Sequence, residues 1–182
     1  MTARPALAIS LYVSGRRCVV IGDDSQAEER ARRLRQAGAE VLTLPAASFE
    51  PGTCRGAFFV ACCDPSVASA ASADARAHGA LFYALDLPDL SDLALPALAQ
   101  HGPVTLAIST DGRAPVLARR LREELERLLT SCGNVLDTFV EELVQRREKL
   151  PREGRKDLLY AVAKRLRIEG RIIVEPTSND PG

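Results

Sequence analysis

Continuous apolar runs alternate with amphipathic segments over the first 110 residues of the chain. The apolar runs are short and unbroken, as in strands that are buried on both faces of a parallel sheet. Strands that alternate with helices predict an α/β fold, a Rossmann-like parallel sheet with right-handed crossovers. The predicted strands lie in residues 16–22, 40–44, 56–63, 80–86 and 103–110, and the predicted helices in residues 25–38 and 65–79.

The first predicted helix has a small apolar face and a local start signal. Ala27, Ala31 and Leu34 recur at helical spacing, so we expect this face to pack on the sheet. Ser25 and Glu28 have the spacing of a capping box, which predicts that the serine caps the helix.

After residue 110 the pattern is that of helices only. Pro115 suits the first turn of a helix, and leucines follow at spacings of four, four and three residues. A second helix is predicted after Asn134, and a third over residues 155–168. These amphipathic helices are too few to enclose a core by themselves, so we expect a second copy of the chain to cover their apolar faces.

The charges are unevenly distributed, although the net charge of the 182 residues is zero. Residues 113–171 carry 15 Lys and Arg against 10 Asp and Glu. This basic segment suits an acidic ligand, and a set of solvated helix faces is the alternative. We expect neither a nucleic-acid partner nor a membrane partner.

Cysteine usage and the lack of a long apolar run indicate the cellular compartment. The five cysteines form no C-x-x-C pair, and no run of apolar residues approaches the length of a membrane span. We therefore expect reduced thiols, no permanent metal site and a cytoplasmic protein.

Three segments of the chain resemble a known family. They are SLYVSGRRCVVIG, LFYALDLPDLSDLALPALAQHGPVTLAIST and DGRAPVLARRLREELERLL, which begin at residues 10, 81 and 111. Their order and sequence are similar to those of the precorrin-2 dehydrogenase/sirohydrochlorin ferrochelatase family, the N-terminal module of siroheme synthases. The resemblance implies a homodimer that uses NAD to oxidise precorrin-2 to sirohydrochlorin and, in many members, inserts iron.

The resemblance, together with the helical pattern after residue 150, predicts an organisation in three parts. Residues 1–112 form a nucleotide-binding domain, and residues 113–150 form a helical dimerisation region. Residues 151–182 are expected to form a C-terminal helix and a disordered tail.

Asp86 is the expected catalytic residue. It follows an apolar strand, at the carboxyl edge where open α/β sheets bind ligands, and it matches the first aspartate of the family's D-D-P motif. The second aspartate of that motif is Leu87 here. A carboxylate at this position can accept a proton from a tetrapyrrole, and the alternative is a residue that only caps the turn.

The I-S-T-D-G loop and the helix after it supply the expected substrate-binding residues. Hydroxyls and backbone N–H groups at a helix N-terminus can bind carboxylates, and arginines can pair with acetate and propionate groups. Simple helix capping and solvated arginines are the alternatives. The residues concerned are Ser109, Thr110, Gly112, Arg113 and Arg119.

The turn after the first strand departs from the family's cofactor motif. The resemblance assigns NAD to Gly22, Ser25, Gln26 and, after the second strand, Ala46. The family has a run of glycines in this turn, where this chain has Asp23 and Asp24. A side chain at Asp24 crowds the pyrophosphate and its charge repels it, whereas Asp24 and Ser25 could cap the helix in place of a phosphate.

Two further functions therefore stand beside NAD-dependent oxidation. One is an NAD-independent chelatase that inserts metal into sirohydrochlorin, with iron as a substrate. The other is a tetrapyrrole-binding dimer without catalytic activity.

Overall fold

Four parallel strands form the central sheet of the computed structural model, which describes residues 7–169. Their order across the sheet is β2–β1–β3–β4, and each neighbouring pair is parallel. The predicted Rossmann-like fold class is confirmed. The strands are β1 (Arg17–Ile21), β2 (Glu40–Leu44), β3 (Phe59–Cys62) and β4 (Leu81–Ala84).

Helices cover both faces of this sheet, which explains why its central strands are apolar at every position except the exposed Arg17, the first residue of β1. On one face, Val19, Val60 and Phe82 pack against the alanines of α2 (Ala68–Ala77). On the other face, alternate strand residues pack against Ala27 and Ala31 of α1 (Ser25–Gln36), as expected. Those residues are Cys18, Val20, Phe59, Ala61 and Cys63.

The predicted fifth strand does not join the parallel sheet, and this expectation was wrong. β6 (Val104–Ile108) pairs with β5 (Ala97–His101), a strand that the pattern did not predict, in a separate two-stranded sheet. A tight turn at Gly102, whose φ is 51°, connects the two strands. A parallel pairing with β4 would need a crossover of a dozen or more residues, usually a helix, and residues 85–96 form none.

Three helices follow, as predicted: α3 (Pro115–Ser131), α4 (Val135–Lys149) and α5 (Arg155–Ala163). Pro115 begins α3, but α5 ends five residues before the predicted Ile168. Asn134 occupies the N-cap position of α4 without a side-chain hydrogen bond to the helix.

The chain divides into two compact units. One comprises residues 7–98 and 107–122, and the other comprises residues 99–106 and 123–169 of the described range. The domain boundaries expected at residues 112 and 150 stay predictions, because compactness alone does not test independent folding. The expected disordered tail lies largely outside the described residues.

Candidate active site

The carboxyl ends of β1, β3 and β4 bring several chemically active residues to one edge of the sheet. Gly22 follows β1, Cys63 follows β3, and Asp86 lies two residues beyond the end of β4. In parallel α/β sheets this edge is where ligands bind.

The turn after β1 brings the start of α1 close to the sheet. The φ of Gly22 is 138°, which side chains rarely permit. A Cβ atom at Gly22 would lie 3.2 Å from the Cβ atoms of both Ala27 and Cys63. The turn therefore keeps the glycine and the small helix residue that allow a close approach of strand and helix.

Asp24, rather than Ser25, caps α1. Its backbone is extended, with φ −87° and ψ 175°, and its Oδ1 accepts the Ala27 N–H at 2.8 Å. Ser25 is the first residue of the helix, so the expectation that it is the cap was wrong. The Asp24 carboxylate also places a negative charge at the positive end of the helix dipole.

The residues of this turn do not fit a dinucleotide pyrophosphate well. Asp24 already accepts the Ala27 N–H, one of the amides with which a helix N-terminus would bind phosphate. Asp23 adds a second exposed carboxylate. After β2, Pro45 precedes a short 3₁₀ turn over Ala46–Ser48, which offers no acidic side chain for a ribose hydroxyl.

Arg30 and Tyr83 form a contact at this edge that the sequence pattern did not indicate. The guanidinium of Arg30 stacks over the Tyr83 ring, 4.6 Å from its centroid, and its Nη2 donates to the Tyr83 hydroxyl at 3.0 Å. Arg30 Nε is buried without a hydrogen-bond partner among the described residues. Burial raises the pKa of Tyr83, Arg30 acts to lower it, and Asp86 and Cys63 act to raise it.

The expected catalytic residue, Asp86, follows Tyr83 by three residues, just beyond the end of β4. Asp86 is exposed, and its φ of 58° lies in the left-handed region, which few residues other than glycine adopt. The turn is anchored on the sheet, because Leu85 N–H donates to Cys62 C=O at 2.9 Å and Leu87 N–H donates to Ala84 C=O at 3.3 Å.

The loop before α3 uses its hydroxyls for local capping. Thr110 Oγ1 accepts the Ala114 N–H at 3.2 Å, and Ser109 Oγ accepts the Asp111 N–H at 3.1 Å. Asp111 is the second non-glycine residue with positive φ, at 50°. This agrees with the capping alternative.

Most of the expected substrate-binding residues lie exposed in the loop before α3 and in the first turns of that helix. Arg113 and Arg119 are exposed, as is Gly112. Within residues 7–169, no hydrogen bond or ion pair connects Asp86 with Ser109, Thr110 or Arg113. A joint role of these residues stays a prediction.

The cysteines at the sheet are buried thiols. All five cysteines are free, and burial is the largest influence that raises the pKa of Cys54 to about 12 and of Cys62 to about 11. Burial also raises the pKa of Cys63. In the described part of the chain, no three His, Cys, Asp or Glu residues are grouped so that they could hold a metal ion.

No helix among the described residues has both the length and the apolar character needed to span a bilayer.

Two family models match the chain. Residues 9–97 match the model described as "Putative NAD(P)-binding", and residues 101–128 match "Sirohaem biosynthesis protein central". Together they cover the four-stranded sheet, β6 and most of α3.

Curated relatives agree with these matches. A siroheme synthase of Nitrosococcus oceani is 32% identical over 154 residues, which is 73% of this chain and 33% of the relative. A siroheme synthase of Methylococcus capsulatus is 30% identical over 167 residues, which is 80% of this chain and 35% of the relative. The chain thus spans about a third of the length of these relatives.

A solved structure supports the fold. The chain matches "SirC, precorrin-2 dehydrogenase" with a TM-score of 0.62 and 18% identity, over 86% of this chain and 89% of that one. At this identity the match concerns the fold alone.

Proposed function

We propose that this chain oxidises precorrin-2 to sirohydrochlorin. It belongs to the family of the precorrin-2 dehydrogenase/sirohydrochlorin ferrochelatase module of siroheme synthases. The observation that supports a catalytic role most directly is the position of Asp86. Its exposed carboxylate follows β4 at the ligand-binding edge of the sheet, in a left-handed turn beside Tyr83.

Asp86 is proposed as the proton acceptor. Oxidation of precorrin-2 removes a hydride and a proton, and an exposed carboxylate is a group that can accept the proton. The family implies NAD as the hydride acceptor. The turn of this chain accommodates its pyrophosphate poorly, so only the proton transfer is assigned to a residue.

Insertion of iron into sirohydrochlorin is a second candidate function, and the Asp24 cap specifically favours it. Metal insertion requires the removal of protons from pyrrole nitrogens but needs no dinucleotide. Asp86 could accept these protons, while Asp24 satisfies the helix end that would otherwise bind phosphate. Iron would be a substrate here rather than a resident metal.

The proposed assembly is a homodimer through residues 113–150. Apolar side chains along α3 and α4 are exposed, among them Leu117 at 52%, Val135 at 63% and Val144 at 49%. Burial of such side chains against a second copy would stabilise both chains.

Arg113 and Arg119 are proposed to bind substrate carboxylates, with Ser109, Thr110 and Gly112 as neighbouring donors. The free thiols suit a reducing compartment, so we propose the cytoplasm.

The test is turnover by the purified protein in two separate assays. One follows oxidation of precorrin-2 with NAD, and the other follows iron insertion into sirohydrochlorin. Asp86→Asn removes the proton acceptor with little change in size, and we expect it to lower kcat by about 100- to 10,000-fold. Asp89→Asn is the matched control, because Asp89 is an exposed aspartate three residues further along the same loop.

The two assays separate the candidate functions. Activity in the first assay supports the dehydrogenase, and activity in the second alone supports the chelatase. Full turnover by Asp86→Asn in both would remove Asp86 from the mechanism. No turnover by the unmodified protein, together with binding of sirohydrochlorin, would support the non-catalytic alternative.

A further inference from the structure

We propose that Ser91 and Asp92 are positioning residues, which we call the edge clamp, and that they hold the turn carrying Asp86 in its left-handed conformation. This inference rests on the proposed function of Asp86. It concerns two side chains that do not reach the reacting atoms but fix the backbone on both sides of the proposed proton acceptor.

Asp92 takes the place of a neighbouring strand at the outer edge of β4. Inside the sheet β4 pairs only with β3, so its other edge needs partners for its backbone groups. Phe82 N–H donates to Asp92 Oδ2 at 3.0 Å, and Asp92 N–H donates back to Phe82 C=O at 2.8 Å. One residue therefore satisfies both polar backbone groups of Phe82.

Ser91 bonds to the residues on either side of the turn. Its Oγ accepts the Ala84 N–H at 2.9 Å, and its hydroxyl can donate to Leu87 C=O at 3.0 Å or to Ala84 C=O at 3.3 Å. Ser91 is 6% exposed, so water cannot easily replace these bonds. The turn between Ala84 and Leu87, with Asp86 in it, is thus closed by a buried hydroxyl.

Helix α2 fixes the far end of the same loop. Arg76 Nη2 donates to Leu90 C=O at 3.1 Å and lies 3.5 Å from Asp92 Oδ1. Ser72 Oγ also donates to Leu90 C=O, at 3.3 Å. The loop therefore has anchors on both the strand and the helix, while Asp86 itself remains exposed.

The backbone of Asp86 needs such support. Non-glycine residues with φ near 58° are uncommon, and they persist where the surrounding structure determines the backbone more strongly than local preference. A general base must also be held within a narrow range of positions relative to its substrate. The edge clamp meets both requirements, because it fixes the turn while Asp86 stays exposed.

The experiment compares two buried serines. Ser91→Ala removes the hydroxyl that bridges Ala84 and Leu87. Ser72→Ala is the matched control, because Ser72 is 2% exposed and donates to Leu90 C=O, which keeps its bond from Arg76 Nη2. We expect Ser91→Ala to lower kcat by about 10- to 100-fold with KM near that of the unmodified protein. We expect Ser72→Ala to keep its kcat.

A second pair of variants and a backbone measurement complete the test. Asp92→Asn keeps an oxygen that can accept from Phe82 N–H and should retain activity, whereas Asp92→Ala should lose kcat as Ser91→Ala does. Amide hydrogen exchange at Ala84 should accelerate in Ser91→Ala, because its N–H loses its acceptor. If Ser91→Ala does not fold, the Asp92 pair carries the test alone.

The outcomes separate this inference from the proposed function. Normal kcat in Ser91→Ala, beside an inactive Asp86→Asn, overturns the edge clamp and leaves the role of Asp86 intact. Equal losses of kcat in Ser91→Ala and Ser72→Ala also overturn it, since they indicate general destabilisation. Full activity of Asp86→Asn overturns both proposals.

Discussion

The Asp24 carboxylate is expected to weaken NAD binding through its charge and through the space that its side chain takes. Two substitutions can separate these two contributions to the binding free energy. Asp24→Asn keeps a side chain that caps helices well but removes the charge. Replacing both Asp23 and Asp24 by glycine removes the charges and the side chains together. We expect the affinity for NAD to rise in the order unmodified, Asp24→Asn, double glycine variant.

The structure sets the size of the effect. Asp24 Oδ1 lies 2.8 Å from the Ala27 nitrogen, so a phosphate oxygen that seeks the same amide must come close to the carboxylate. Two unit charges about 5 Å apart repel by about 3 kcal/mol at an effective dielectric constant near 20, and by about 1 kcal/mol in bulk water. Because Asp24 is exposed, each charge pair should cost between about fivefold and 100-fold in affinity.

The assay is calorimetric titration with NAD, beside thermal unfolding of each variant. The unmodified protein should bind with a Kd of about 1 mM or weaker. The double glycine variant should bind about 10- to 100-fold more tightly. It should also lose about 1 kcal/mol of stability, because the helix loses its cap and a charge that complements its dipole.

Asp64→Asn is the control for net charge. Asp64 also follows a strand at this edge, but its carboxylate bonds to the N–H and hydroxyl of Ser66 rather than to α1. An equal gain in affinity from Asp64→Asn and Asp24→Asn would refute the positional argument. Micromolar binding by the unmodified protein would refute the whole reasoning, and NAD-dependent oxidation would then face no objection from the turn.

Two further predictions concern stability and assembly. Asp74→Ala should cost about 1–3 kcal/mol at pH 7, because the Gly52 and Cys54 N–H groups lose their acceptor. Burial acts to raise the pKa of Asp74, but its bonds to Cys54 and Gly52 and the nearby His78 hold that pKa below the ordinary value. The stabilisation by Asp74 is therefore present above about pH 4 and is lost as the pH falls further. Denaturant unfolding at pH 7 and pH 3 checks this, and an equal cost of Asp74→Ala at both pH values would contradict it. Light scattering at micromolar concentration should give twice the chain mass of 19.6 kDa. The double variant Val135→Asp, Val144→Asp should be a monomer, because it places charges in the proposed interface. A monomeric unmodified protein would rule out the homodimer.

Much of the sheet could be predicted because its signals are local. Apart from Arg17 at the start of β1, the runs of β1 and β3 are apolar at every position, and helices on both faces require this pattern. Gly22 and Ala27 indicate a turn at which the strand and the following helix pack closely together. The partner of β6 could not be predicted in this way, because an apolar strand fits equally well beside a parallel or a hairpin neighbour.

The contacts around Asp86 could be predicted only in part. Its place after β4 follows from the apolar run, but the nearby Tyr83 is bound by a residue from a distant part of the chain. Arg30 and Tyr83 are 53 residues apart, and helical spacing shows only that Arg30 flanks the face of Ala27. Ser91 lies in a short polar interruption that resembles an ordinary loop, although its hydroxyl is buried against the strand.

The turn before α1 and the turn after β4 use their carboxylates differently. At α1 the chain supplies its own anion, since Asp24 accepts the helix amide that an incoming phosphate would use. Beyond β4 the chain leaves Asp86 exposed and surrounds its turn with internal hydrogen bonds. This edge therefore offers an exposed carboxylate beyond β4 and fills its own anion position at α1. If NAD binding proves as weak as the Asp24 geometry predicts, we expect metal insertion to be the reaction of this chain, because it needs a proton acceptor but no dinucleotide.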